Sequence, residues 1–211
     1  MGNIDGAVSE RKRTYDVFLS FRGEDTRDGF TRHLYDALCR KGIITFMDDG
    51  ELQLGDRIGP KLLKAIEESW ISIVVFSENY AASSWCLDEL VKIHDCIKSK
   101  NQLVCPIFYK VDPSDVRHQK GSYGEAMTKH ESRFGKDSEM VRKWRSTLIE
   151  MAKLKGKHLK LEQGRDESKF IDDLAREIFN KVSPKDLSSD EHIVGREYLV
   201  KELKSHLELE S

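Results

Sequence analysis

The chain has 211 residues, 38% hydrophobic and 34% charged, which suits one domain of ordinary size with some tail to spare. Its 35 lysines and arginines nearly cancel its 37 aspartates and glutamates, and a net charge of -2 gives no general electrostatic reason to expect nucleic acid or an anionic membrane. Apolar runs such as Ile73-Val74-Val75-Phe76 are far too short to span a bilayer. No secretory signal is visible, and Gly6 stands where a myristoylation motif wants Ser or Thr. Cys39, Cys86, Cys96 and Cys105 form no CxxC pair. Three of them sit in apolar-patterned segments, so buried thiols in a reducing compartment are expected, in a soluble intracellular protein.

In chain order, residues 1–13 are polar and end in Glu10-Arg11-Lys12-Arg13, which reads as a flexible leader. Tyr15-Asp16-Val17-Phe18-Leu19-Ser20 is a strand by composition, and Arg22-Gly23-Glu24-Asp25-Thr26-Arg27 reads as a charged loop after it. Phe30, Leu34 and Leu38 at helical spacing predict a helix that stops near Gly42. A short strand over 43–47 follows, then a loop through Gly55, then a helix opened by Gly59-Pro60 with Leu62, Leu63 and Ile66 inward. The β-branched run 71–77 is the clearest strand, buried on both faces. Residues 103–109 predict a fourth strand, in which Pro106 argues for an edge or a bulge. Asp112-Pro113-Ser114-Asp115 reads as a turn, with helical pattern over 124–134 and again through Val141, Trp144, Leu148 and Met151. A short last strand over 157–161 precedes a helix carrying Phe170, Ile171, Leu174, Ile178 and Val182, ended by Ser183-Pro184.

Between the third and fourth strands lies Ser83-Ser84-Trp85-Cys86-Leu87-Asp88-Glu89-Leu90, read as a serine-capped helix. Cys86, Leu87, Leu90, Ile93 and Ile97 form its apolar stripe. Asp88 falls opposite the stripe and is expected to face water. Glu89 falls on the edge of the stripe, one turn from Trp85. A carboxylate beside an indole at a core rim is partly desolvated, which raises its pKa and suits it to chemistry. A surface glutamate near a helix start, favoured by the macrodipole, is the plainer reading of the same spacing.

Strands alternating with helices imply right-handed βαβ units. The expected fold is α/β: a flavodoxin-like, doubly wound, five-stranded parallel sheet with helices on both faces. Ligands bind such folds at the carboxyl ends of the strands, where the loops 21–27, 48–58 and 77–86 converge.

Several ordered motifs resemble plant TIR domains (Toll/interleukin-1 receptor homology). They are Tyr15 through Arg27, Gly59 through Ser69, Val75-Phe76-Ser77-Glu78-Asn79-Tyr80-Ala81, Trp85-Cys86-Leu87-Asp88-Glu89-Leu90, and Pro106 through Arg117. The resemblance covers residues 14–182. The tail, with Ile193-Val194-Gly195-Arg196, resembles the start of the nucleotide-binding domain of plant immune receptors, so 183–211 is read as a linker and a truncated start of that domain. The chain is thus read as the N-terminal piece of such a receptor, with a naturally short protein as the other possibility.

The resemblance implies an NAD+ nucleosidase, activated by self-association into dimers or tetramers. It would release nicotinamide and ADP-ribose or cyclic variants that signal defence and cell death. Glu89 matches the catalytic glutamate. Arg22, Gly23, Glu24, Asp25, Thr26 and Arg27 match the loop along the nucleotide, with a salt-bridged loop that shapes the fold as the competing role for Glu24, Asp25 and Arg27. Gly55 falls in a gating loop, and Trp85 stacks on a base or shields Glu89. NAD+ is the substrate, with no cofactor or metal required. The partners implied are further TIR domains and the rest of the receptor, not membrane or nucleic acid. The location implied is cytoplasmic, with the nucleus open as a second.

Cys86 matches a cysteine tied to cyclic-nucleotide synthesis in some plant TIR domains, but its place on the stripe reads as a core thiol. Arg32-His33 stands where relatives carry Ser-His on an association surface, and Gly156-Lys157 where they carry Gly-Trp. Both departures bear on assembly more than on chemistry. Trp70, where a basic residue is common, reads either as core or as an exposed contact. A non-catalytic TIR–TIR interaction module is the alternative function. A phosphoacceptor receiver is disfavoured because Ser77 stands where an aspartate is needed.

Overall fold

The computed structural model describes residues 13–48, 59–159 and 167–183. Five strands, β1 (Tyr15–Phe21), β2 (Thr45–Met47), β3 (Ser69–Phe76), β4 (Leu103–Tyr109) and β5 (Lys157–Leu159), form one parallel sheet in the order β2-β1-β3-β4-β5. The helices are α1 (Gly23–Thr26), α2 (Arg32–Arg40), α3 (Pro60–Glu67), α4 (Ser84–Lys100), α5 (Pro113–His118), α6 (Gly121–Phe134), α7 (Glu139–Lys153) and α8 (Glu167–Val182). This is the doubly wound α/β architecture expected from the alternation of patterns.

Strand periodicity sorts the core into two layers. Val17 and Leu19 of β1 and Ile71, Ile73 and Val75 of β3 point to the layer closed by α2 and α8, through Leu34, Leu38, Leu174 and Ile178. Phe18, Val74 and Phe76 point the other way, against Ile66 of α3, Leu87 and Leu90 of α4, and Trp144 and Leu148 of α7. Ser20 shares the parity of Phe18, so its hydroxyl is directed to the α4 side with 0% exposure. Of the eight residues of β3 only Trp70 is exposed, as the continuous β-branched run implies.

Three local readings change. The segment after β1 is helical rather than a loop: α1 runs into a π-helical turn, Arg27–Thr31, in which Gly29 departs from helical dihedrals at φ -130°, ψ -111°. Residues 112–115 begin a helix, because the Asp112 carboxylate accepts from the Ser114 N–H at 2.8 Å and Pro113 takes the first helical position. Pro106 lies in an internal strand, paired with Val74 on one side. Its missing N–H costs little there, because β5 pairs only from Ile107 onward and leaves Pro106 locally at an edge.

Candidate functional site

In the order β2-β1-β3 the chain leaves β1 in opposite directions, which opens a crevice beyond the carboxyl ends of β1 and β3. Helix α4 follows β3 and is capped by Ser83, whose side chain accepts from the Cys86 N–H at 3.3 Å. Its second turn places Glu89 under the crevice, beside the end of β1. The residue is 8% exposed, deeper than an edge position. Ser20 Oγ lies 2.8 Å from Glu89 Oε2, Tyr80 Oη lies 2.9 Å from Ser20 Oγ, and Tyr80 Oη donates to the Cys86 carbonyl at 2.9 Å. Burial pushes the Glu89 carboxyl up to about 8. The Ser20 hydrogen bond opposes that rise, and the charges of Asp48 and Asp88 add to it. Trp85 is half-buried one turn earlier.

The 22–27 segment is an ordered, self-paired unit. The Arg22 guanidinium donates to Glu24 and Asp25. Asp25 also accepts from Ser77 Oγ at 2.6 Å and from the Asn79 N–H at 2.9 Å, which ties the end of β1 to the end of β3. These donors hold its carboxyl below the ordinary value against the opposing effect of burial, which is the largest single influence. Thr26 is buried and accepts from Thr31 Oγ1 at 2.8 Å. Arg27 donates to the Asp48 carbonyl at 2.8 Å, joining this segment to the end of β2. Its guanidinium fills the space where a Cβ on Gly23 would stand, with atoms 3.0 Å from that point. Asp25 and Thr26 thus fix the segment beside the strand ends, Arg22 is part-buried, Glu24 is exposed, and Gly55 lies outside the described residues.

Asp88 does not face open water. It accepts from Trp144 Nε1 at 2.7 Å, and burial raises its carboxyl despite that bond. The wheel places it opposite the α4 stripe correctly, but α7 covers that side too. Cys86 is a core thiol: its Sγ–H points at the Phe21 carbonyl at 3.5 Å, and burial raises its pKa strongly. Trp70 resolves as an exposed contact, 39% exposed, with the Arg13 guanidinium 3.5 Å from its ring centroid. Arg32 lies over the Tyr35 ring at 6.0 Å, and Lys157 pairs with Glu177 at 2.6 Å.

Ser20 and Tyr80 are the members of this cluster that the sequence reading passed over. Ser20 carries a usable signal. A hydroxyl on the inward face of a buried strand needs a partner, and the helix that follows β3 supplies it.

Against known families, residues 14–195 match the TIR domain. The chain is 52% identical over 95% of its length to disease resistance protein RPV1 of Vitis rotundifolia, and 48% identical over 95% to TMV resistance protein N of Nicotiana glutinosa. It spans 14% of the first relative and 17% of the second. Its fold superposes on the TIR domains of the activated Roq1 resistosome, which directly recognises the pathogen effector XopQ, with a TM-score of 0.71 and 50% identity. That match covers 78% of this chain and 99% of the Roq1 one. With strand order, motif order and these likenesses in agreement, the chain belongs to the TIR domain family, in the branch shared with plant disease-resistance proteins.

Proposed function

We propose that this domain is an NAD+ nucleosidase in which Glu89 is the catalytic carboxylate. The observation that best supports the reading is a buried carboxyl beside the strand ends, held by one hydroxyl and pushed up to about 8 by burial. Breaking the nicotinamide–ribose bond builds positive charge on the ribose, as in other oxocarbenium-like glycosidic reactions. A fixed anion in a desolvated site stabilises that charge far more than water does. Departing nicotinamide is neutral and needs no proton, so one carboxylate suffices where glycosidases use two. In this reading Arg22 and Glu24 face the nucleotide, Gly23 makes room for the Arg27 guanidinium behind them, and Trp85 stacks on a base or screens Glu89. Asp25, Thr26 and Arg27 hold the 22–27 segment in place, and Gly55 belongs to the gating loop. No cofactor beyond the substrate is invoked.

The Roq1 match is to TIR domains within an assembled receptor. By analogy, self-association as dimers or tetramers completes the site here, and the products signal defence and cell death. Nicotinamide release per subunit is then expected to rise steeply with protein concentration. The test is NAD+ consumption by wild type and Glu89→Ala at high concentration. Loss of nicotinamide release in a folded variant supports the reading. An inert wild type that demonstrably self-associates refutes it in favour of a non-catalytic TIR–TIR module.

A further inference from the structure

Four buried polar groups lie in line: Glu89 Oε2, Ser20 Oγ, Tyr80 Oη and the Cys86 carbonyl, separated by 2.8, 2.9 and 2.9 Å. Ser20 and Tyr80 are both 0% exposed, so each must find its partners within the line. Each hydroxyl owns one proton. If Glu89 is ionised, Ser20 donates to it. Tyr80 then has one proton for two neighbours, and either its contact with Ser20 or its contact with the Cys86 carbonyl holds no hydrogen. If Glu89 is protonated, the carboxyl donates to Ser20, Ser20 donates to Tyr80, and Tyr80 donates to the carbonyl. Every contact is then filled.

We propose that Tyr80 is a positioning residue acting through Ser20: by taking the Ser20 proton into a one-way chain that ends at the Cys86 carbonyl, it turns Ser20 from a donor to Glu89 into an acceptor and so keeps Glu89 as the neutral acid in the free protein. The idea rests on the nucleosidase reading for its purpose: a cationic nicotinamide ribose beside the carboxyl expels the proton to solvent and leaves the carboxylate poised for the forming positive charge. Only a proton moves, from the Glu89 carboxyl to water. The surrounding charges favour the same resting state. Asp48 at the end of β2 and Asp88 on the same helix are both negative, and the Tyr80 hydroxyl and Cys86 thiol stay protonated, pushed up by burial.

The test is a carboxyl 13C NMR titration of the 211-residue chain labelled at glutamate, with the Glu89 resonance identified by its loss in Glu89→Gln. Wild type is expected to titrate near 8. Tyr80→Phe removes the acceptor for the Ser20 proton and frees Ser20 to donate to the carboxylate, which lowers the midpoint by about one unit. Ser20→Ala removes the donor that favours the carboxylate and raises the midpoint by about as much. A merely structural role loosens the site in both variants, admits water, and moves both midpoints down. Opposite shifts support the proposal. Two shifts of the same sign, no shift, or a wild-type midpoint in the ordinary carboxylate range overturn it, and the last of these needs no variant to fold. The acidic limb of kcat/KM for nicotinamide release is expected to move with each midpoint. Opposite NMR shifts without nicotinamide release keep the chain of protons and sink the substrate reading. Release without NMR shifts does the reverse.

Discussion

Burial of Glu89 has a consequence for stability that needs no substrate. In the unfolded chain its carboxyl ionises near the ordinary 4.5, whereas the folded protein keeps the proton until about 8. Between those values the native state holds a proton that the unfolded state has lost, so stability falls as pH rises, by about 1.4 kcal/mol per unit. Across the whole window the loss is at most about 5 kcal/mol, and relaxation around the new charge brings it to a few. Glu89→Gln keeps the shape and a donor for Ser20 but cannot ionise. Urea unfolding at half-unit steps from pH 5 to 8 is therefore expected to show the variant gaining on wild type as pH rises. Glu67, held down to about 2 by Lys100 and Lys92, has the opposite sign: its contribution is present above 4.5 and lost as pH falls towards 2. That lies outside the window and is common to both proteins. Parallel stability curves for the two proteins would refute the claim that Glu89 folds as a neutral acid.

Asp25→Ala strips partners from Ser77, the Asn79 N–H and Arg22 at once, and should cost about 2–3 kcal/mol in urea unfolding, with faster hydrogen exchange at Asn79. Gly156→Ala should destabilise by about 1–3 kcal/mol. Its Cβ would stand 2.7 Å from both Phe108 Cε2 and the Pro106 carbonyl, and a thermal melt reads the loss. Of the four cysteines Cys39 is exposed, Cys86 and Cys96 are buried, and burial raises Cys105 to about 11. One thiol per native chain is expected to react quickly with a disulfide reagent, and Cys39→Ser should abolish that fast phase.

What could be read in advance follows from range. The layers were legible because strand parity and helical spacing are local: Val17 and Leu19 face one core and Phe18 the other, whatever else the chain does. The capped start of α4 follows from the same short-range geometry, which sets Glu89 at the stripe's edge and leaves its greater depth to the packing. The misread segments are those where a side chain outvotes composition. Glycine and four charged residues in 22–27 look like a loop, yet Arg22, Asp25 and Arg27 answer one another and the strand ends, and the backbone coils. Asp112 caps what its Pro and Ser neighbours suggest is a turn. Ser20–Glu89 joins residues 69 apart in sequence, and Asp88–Trp144 joins residues 56 apart. No periodicity encodes such a pair, and only the packing of α4 between β1 and α7 discloses it.

The three acids Glu67, Asp88 and Glu89 show how one helix layer sorts carboxylates by the partner each meets. Glu67 on α3 meets two lysines reaching from α4 and is driven to about 2. Asp88 meets the indole N–H of Trp144, a neutral donor that only partly offsets burial. Glu89, one residue on and so turned by about 100° around the same helix, meets a hydroxyl and two like charges, and its proton stays. Ion-paired acids such as Glu67 are already neutralised and have little left to offer a forming cation. An acid left with a hydroxyl alone sits at a cost to the fold, and under the proposed nucleosidase function a cationic substrate would relieve that cost by turning the neutral acid into an ion pair. The strain that lowers stability at pH 8 is then the same free energy that favours binding of a cation over a neutral analogue. Glu89→Gln should gain the one and lose the other together.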